Sequence, residues 1–217
     1  MSINVYLLTN NKHLFLLKGF SHFWNLHTNS YPVTVWGYDI EPELPDNFNF
    51  VSLGKQRPAE EWSNGLIDAL HSISDEYFVL MLEDFWLYDK ADLSILPTLA
   101  NALKGHDTLR LDLSGNRMAY KQARPSGSLA NYDIVSTPKD TPYQMSFQAA
   151  IWHKWNMLEV LKLNETPWQA EIEGSKRVNK KVLGTNLLKY QPVWRARTKK
   201  WQLDKLGQVD KKWLEPN

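Results

Sequence analysis

Cysteine is missing from the 217-residue sequence. That excludes disulfides, thiolate nucleophiles and cysteine-ligated metal sites, so any bound metal must be held by oxygen or histidine nitrogen. No stretch approaches the roughly 18 consecutive apolar residues that span a bilayer. The opening MSINVYLLTNNKH has neither the basic start nor the small-residue cleavage site of a signal peptide. A cytoplasmic protein without integral membrane association is expected. Also missing are a GxSxG elbow, a glycine-rich phosphate loop and a zinc signature, along with internal repeats, low-complexity tracts and any linker that would set off a second domain. The histidines are scattered: His13, His22 and His27 on the first helix, His71 on a later one, His106 at a turn and His153, with none beyond. No pair has metal-ligand spacing with a third partner, so packing or surface roles are expected for them.

What is present is an ordinary globular composition, with 43% hydrophobic and 23% charged residues, long enough for a single domain over residues 1–217 with a full core. The net charge of +1 conceals a lopsided chain. Residues 176–217 hold 12 Lys and Arg against 3 Asp and Glu, whereas residues 1–175 hold 13 against 21. A basic end of this kind suits a polyanion, an anionic membrane surface or a phosphorylated ligand, or it folds as a solvated tail against the acidic body.

The order of elements predicts an α/β fold. INVYLL (3–8) reads as a buried strand, followed by a helix with Leu16, Leu17, Phe20, Phe23 and Trp24 along one face. VTVWGY (33–38) and NFVSLG (49–54) are the next strands. Pro58, Glu60 and Glu61 start a helix that carries Trp62, Leu66, Leu70 and Ile73 on one face. YFVLML (77–82) is too continuously apolar for a strand with one wet face and is predicted to be central, covered on both sides. A helix stopping at Gly105, the strand TLRLDLSG, a loose segment over 115–145, and MSFQAAIW (145–152) as a strand come next. The loose segment contains one candidate strand, YDIVS, and is read as a binding loop or lid. KWNMLEVLKL is a helix, and a second begins with Thr166 as N-cap and Pro167 at its first position. The pattern predicts a mostly parallel sheet flanked by helices, with ligands beyond the carboxyl ends of the strands.

Chemistry is therefore sought at those ends. Glu83 and Asp84 follow the central strand directly. Such a pair can hold Mg²⁺ or Mn²⁺, hard cations that take carboxylate oxygens and leave positions open for phosphate; the bland alternative has Asp84 capping a turn and Glu83 facing solvent. Thr9 and Asn10 lie just past the first strand, where small polar groups would meet a nucleotide, and Asp39 lies past the second. Trp36 and Trp62 stand near strand ends where a base could stack, although core packing is the commoner fate of tryptophan. In PWQAEIEGS, Glu171 and Glu173 are two residues apart on a helix, so only one can face a cleft and serve as a base. The alternative is an acidic first turn that answers the helix dipole.

Taken in order, FVLMLEDFWL, SFQAAIWHKWNMLEVL and ETPWQAEIEGSKR resemble small bacterial and phage glycosyltransferases of the GT-A fold, over residues 1 to about 200. The resemblance implies a Rossmann-like GT-A sheet. It also implies a nucleotide-sugar donor, UDP-linked, whose diphosphate meets a divalent ion held by Asp84, with Glu83 contacting the sugar or ribose and standing as a second metal ligand. Glu171, placed after Trp168 as in the resembled pattern, is then the catalytic base, with Glu173 its neighbouring candidate. Two departures stand out: the family's acidic motif begins with aspartate where this chain has Glu83, and the late histidine that some members add to the metal does not occur.

Lys176, Arg177, Arg195, Arg197, Lys199 and Lys200 are candidates for phosphate contact. They are more numerous than one diphosphate needs and are interleaved with Tyr190, Trp194 and Trp201, a combination that suits a nucleic-acid backbone. Phages encode glycosyltransferases that decorate hydroxymethylated pyrimidines, so duplex DNA is an expected partner and the host cytoplasm the expected place. Three other readings stay open: transfer to a cell-surface saccharide, a metal-dependent nucleotidyltransferase and a non-catalytic DNA-binding module.

Overall fold

The computed structural model describes residues 2–195 and 200–215. Among the described residues, thirteen strands and five α-helices follow one another. A nine-stranded sheet takes in β1 (Val5–Leu8), β2 (Val33–Gly37), β3 (Phe48–Ser52), β4 (Tyr77–Leu82), β6 (Thr108–Asp112), β7 (Arg124–Leu129), β8 (Tyr132–Ser136), β9 (Ala150–His153) and β10 (Lys181–Gly184), in the order β3-β2-β1-β4-β9-β6-β10-β8-β7. β5 (Phe85–Leu87) pairs with β11 (Tyr190–Pro192), and β12 (Trp194–Arg195) with β13 (Lys200–Trp201). The helices are α1 (Leu17–Thr28), α2 (Trp62–Ser72), α3 (Leu96–Leu103), α4 (Lys154–Val160) and α5 (Pro167–Arg177). None of the described helices is long and apolar enough to cross a membrane.

The unbroken apolar run of β4 has a direct explanation. Tyr77, Val79 and Met81 enter one core, with Phe20, Phe23 and Trp24 of α1 and Leu96 and Leu99 of α3. Phe78 and Leu80, pointing the other way, enter a second core with Leu66 and Leu70 of α2, Met157 of α4 and Ala170 of α5. Successive residues of a strand face opposite sides, so a strand covered on both must be apolar at every position. β1 repeats the pattern, with Val5 and Leu7 in the first core and Tyr6 and Leu8 in the second.

The sheet departs from simple βαβ order at two places. MSFQAAIW does contain a strand, but β9 lies antiparallel between β4 and β6, with Leu80 opposite Ala150 and Asp112 opposite Ala150 on the other side. Its entry, Gln148 and Ala149, therefore reaches the edge where β4 and β6 end. The middle of the segment expected as a binding loop or lid, residues 124–136, is an edge hairpin: β7 and β8 turn at Ala130 and Asn131, both with positive φ (45° and 72°), and β8 pairs antiparallel with β10. Two successive positive-φ residues make the two-residue turn whose twist matches paired strands.

Candidate active site

At the carboxyl edge of the sheet the loops after β1, β2 and β3 are tied together. Asn11 donates through Nδ2 to Asp39 Oδ1 at 2.8 Å, the Gln56 N–H donates to the same oxygen at 3.1 Å, and the Asn11 N–H donates to Gln56 Oε1 at 2.9 Å. The Asn11 hydrogen bond, with the N–H groups of Asp39 itself and of Gln56, holds the Asp39 carboxyl below the usual range. Asp39 thus braces the rim where the sequence places a nucleotide. Asn10 caps the short turn after β1, its Oδ1 accepting from the Lys12 N–H. Thr9 is buried, its N–H donating to the Trp36 carbonyl, and its hydroxyl has no partner among the described residues.

Glu83 and Asp84 occupy the tight connection from β4 to β5. The main chain there is fixed on both sides: the indole N–H of Trp86 donates to the Glu83 carbonyl at 3.0 Å, and the Val193 N–H to the Asp84 carbonyl at 2.8 Å. The Glu83 side chain is buried and meets His13 Nδ1 at 2.9 Å, a contact that raises the imidazole pKa against its own burial. Asp84 is half-buried. Desolvation, followed by the Glu83 charge, pushes its carboxyl up to about 7. Two adjacent acids with one imidazole between them leave uncompensated negative charge, which a hard divalent cation would relieve. Among the described residues no group of three or more His, Asp or Glu side chains could complete a metal shell. Glu83 and Asp84 match the one or two carboxylates that Mg²⁺ usually takes from a protein, phosphate and water filling the rest of its shell.

Beside the acid pair, across Tyr190, opens a cavity of about 390 Å³ whose lining includes Arg110, Asp112, Tyr143, Gln148 and Glu171. Phe85, next to Asp84, stacks on Tyr190 at 4.7 Å, and the Tyr190 hydroxyl donates to Gln148 Oε1 at 2.8 Å. Two buried guanidiniums form the floor. Arg110 donates to Asp112 at 3.3 Å and to the carbonyls of Gln144 and Tyr143 at 3.1 and 3.3 Å. Arg117 donates to Thr137 and to the carbonyls of Pro142 and Tyr143. Burial, with repulsion from Arg110, pushes Arg117 down to about 10. Asp112 accepts from Arg110 on one oxygen and from the N–H and hydroxyl of Ser114 on the other, so both of its oxygens are engaged within the protein.

Glu171 accepts from the Phe147 N–H at 2.7 Å and sits at the cavity wall on α5, whose start is set by a capping box between Thr166 and Gln169. Burial raises its pKa, opposed by hydrogen bonds from Phe147 and Ser146 and by the Arg110 charge. A raised carboxyl held at a polar cavity is the form a general base takes. Glu173 points away, exposed and paired with Lys176 at 2.7 Å, which removes it as an alternative base.

Several expected contacts are corrected by the geometry. Trp36 is 1% exposed and stacked on Tyr6 at 4.2 Å, so it offers no face to a base. Trp62 packs edge-on against Phe147 at 4.6 Å and lies partly buried against the second core, which leaves only part of its ring to a ligand. Arg177 grips Glu165 with two hydrogen bonds of 2.8 and 2.7 Å and also donates to the Val160 carbonyl. It sits where α5 delivers the chain to the start of β10, at the edge opposite the acid pair. Lys176 is occupied by Glu173, whereas Lys200 is exposed on β13. Arg197, Lys199 and the Arg195 side chain lie outside the described residues.

No family model matches the sequence, and neither does any curated protein. Solved structures do match. The crystal structure of Staphylococcus aureus TarS superposes with a TM-score of 0.50 at 12% identity, covering 88% of this chain and 36% of that one. The fold is GT-A-like. TarS residues 1–349 match with a TM-score of 0.48 at 12% identity, over 88% of this chain and 59% of that one. The UTP-bound UGPase from Acinetobacter baumannii matches at 0.48 and 8% identity, over 88% and 87%. This chain thus spans little more than a third of TarS.

Several residues of the site are not reached from the sequence. Spacing assigns His13 to packing and does not single out Arg110, Arg117 or Tyr143. One signal was legible: an arginine inside the otherwise apolar strand TLRLDL requires a buried partner, and Asp112, two residues on, lies on the same face of that strand.

Proposed function

We propose that the protein is a glycosyltransferase that moves a sugar from a nucleotide-sugar to an acceptor hydroxyl. The observation that carries this is the shared placement of two acidic centres: Glu83 and Asp84 after β4, and Glu171 at a cavity joined to them through Phe85, Tyr190 and Gln148. The donor diphosphate lies over the β4 end. Asp84, with Glu83 behind it, is the group to hold Mg²⁺ or Mn²⁺, which when bound supplies charge neutralisation to a departing diphosphate. Glu171 takes the proton from the acceptor hydroxyl as that oxygen bonds to the anomeric carbon. The bond from the anomeric carbon to the phosphate oxygen breaks, and the nucleoside diphosphate leaves with the electron pair. The GT-A-like fold is consistent with this use and does not by itself specify it.

An acceptor on duplex DNA, at a 5-hydroxymethylpyrimidine, is supported by the basic residues 176–217, where Lys200, Lys205, Lys211 and Lys212 are exposed. Against it, Lys176, Arg177, Lys180 and Lys189 are engaged in intramolecular ion pairs, which shrinks the surface left for phosphates. The protein is to be incubated with Mn²⁺, a panel of nucleotide-sugars, and saccharide or hydroxymethylated DNA acceptors. Release of a nucleoside diphosphate that Asp84→Ala abolishes is expected. Consumption of a nucleoside triphosphate with release of pyrophosphate would instead identify a nucleotidyltransferase. Retention on duplex DNA at about 50 mM salt that is lost at about 200 mM would support the DNA acceptor.

A further inference from the structure

We propose that the cavity beside Glu171 binds one neutral pyranose ring of a saccharide acceptor, and that Tyr143 is its stacking platform. This rests on the glycosyltransferase reading for its place in the reaction, though not for the binding itself.

Charge comes first. The cavity wall carries two guanidiniums, Arg110 and Arg117, and two carboxylates, Asp112 and Glu171, so it is balanced. Both guanidiniums are already partnered within the protein. Their donors go to Asp112, to Thr137 and to three successive carbonyls, those of Pro142, Tyr143 and Gln144. Asn116 donates to Gln148 Oε1, which also accepts from Tyr190, so what remains for a ligand is the Asn116 oxygen, the Gln148 amide N–H groups and the hydroxyls of the tyrosines, together with the Glu171 carboxylate. Groups of that kind match the adjacent hydroxyls of a sugar, and about 390 Å³ falls within the range of small-molecule sites.

The second observation is conformational. Tyr143 has φ of +56°, a left-handed conformation that is unusual for a bulky side chain. Arg110 and Arg117 both hold its carbonyl, and the residue is 49% exposed at the cavity mouth. An unfavourable backbone fixed by two buried cations, with the ring left in water, presents an aromatic face rather than filling a core. Trp168, 59% exposed, stands one helical turn ahead of Glu171 on α5 and can meet the next sugar of a chain. The C–H face of a pyranose stacks on such rings while its hydroxyls reach the amides.

A nucleobase could also stack on Tyr143. A base swung out of DNA, however, brings flanking phosphates, and those need cations at the rim. The two arginines at the cavity are engaged, and Arg177 and Lys180 pair with acids near the opposite edge. A neutral ring is therefore favoured over a flipped base.

The test is saturation-transfer NMR on the full chain without donor. The probes are the methyl β-glycosides of glucose, galactose and N-acetylglucosamine, with 5-hydroxymethyldeoxycytidine as the comparison. At least one glycoside is expected to receive saturation at its ring C–H protons, with equal affinity at about 50 and 200 mM salt. Tyr143→Ala should weaken it about tenfold and Tyr143→Phe less than about twofold. Tyr143→Gly relieves the left-handed strain, so it should raise Tm while lowering affinity as much as Tyr143→Ala; a merely structural tyrosine would not separate the two. Gln148→Ala gives an independent loss should the Tyr143 variants fold poorly. The proposal is overturned if no glycoside binds, if Tyr143→Ala and Gln148→Ala bind as well as the parent, or if only the hydroxymethylated nucleoside binds. Nucleoside-diphosphate release from donor, measured separately, decides the transferase reading, so either can fail without the other.

Discussion

Replacing Asp84 by asparagine should stabilise the ligand-free protein while abolishing transfer, because the site holds charge that folding disfavours. Burial and the Glu83 charge raise the Asp84 carboxyl from 3.8 to about 7. The sign follows from linkage: a folded pKa above the unfolded one means that the folded state holds the proton more tightly. Stability is therefore whole below the unfolded pKa and falls as pH rises towards 7. Taken in full at about 1.4 kcal/mol per pH unit, the shift amounts to about 4 kcal/mol. Asp84 shares the local charge with Glu83 and His13, so about half of that, ~2 kcal/mol, should be recovered by Asp84→Asn above pH 7. For a chain of this length that is a Tm gain of about 4–8 °C. Thermal melts in EDTA from pH 5 to 8.5 measure it. The gain over wild type should grow with pH and level off above 7. A gain of equal size at every pH, or a loss at pH 8, would refute the electrostatic account. Adding Mn²⁺ with a nucleoside diphosphate should then raise the Tm of the wild type and leave the variant where it was.

Glu171→Gln should fold normally and lose about 10²–10⁴-fold in kcat. Because the Glu171 pKa is raised, the acid limb of the wild-type kcat/KM profile should lie above the ordinary glutamate range, and near-normal transfer by the variant would remove Glu171 from the mechanism. Gly19→Ala tests the seating of the acid loop. Helix propensity alone predicts a gain of about 1 kcal/mol, but a Cβ there would fall inside the Trp86 ring, so urea melts should show a loss of about 1–3 kcal/mol. For His13→Ala the stability loss should be larger at pH 6 than at pH 9. The His13 pKa is raised by Glu83, so its contribution is whole below the unfolded pKa and disappears as pH rises through the folded one; a loss independent of pH would show that the pair is neutral.

How much of this was legible depended on whether the deciding contact was local. The central place of β4 could be read from six apolar residues in a row, since two covering layers impose that composition. The start of α5 could be read from Thr166 and Pro167, because capping is settled within one turn. Strand direction is not local. Nothing within MSFQAAIW distinguishes an antiparallel strand from a parallel one, and only the incoming hairpin, which delivers Gln148 to the carboxyl edge, decides it. Trp36 misled for a related reason. A tryptophan at a strand end looks available to a ligand, but β2 is covered on both faces, and Tyr6 of the neighbouring strand takes the ring.

The same distinction divides the two halves of the site. The acid pair was visible because it interrupts a greasy run, and interruption is a property of sequence. The cavity was not, because it is made by residues that repair one another. Arg110 and Arg117 are tolerable in the interior only because three carbonyls of one loop and Asp112 accept from them. That loop keeps its left-handed Tyr143 only because the arginines hold it. The continuation of the same segment presents the Phe147 N–H that fixes Glu171. Removing either arginine should therefore cost more than one hydrogen bond, since it unpairs the others and frees the segment that fixes Glu171, the proposed base.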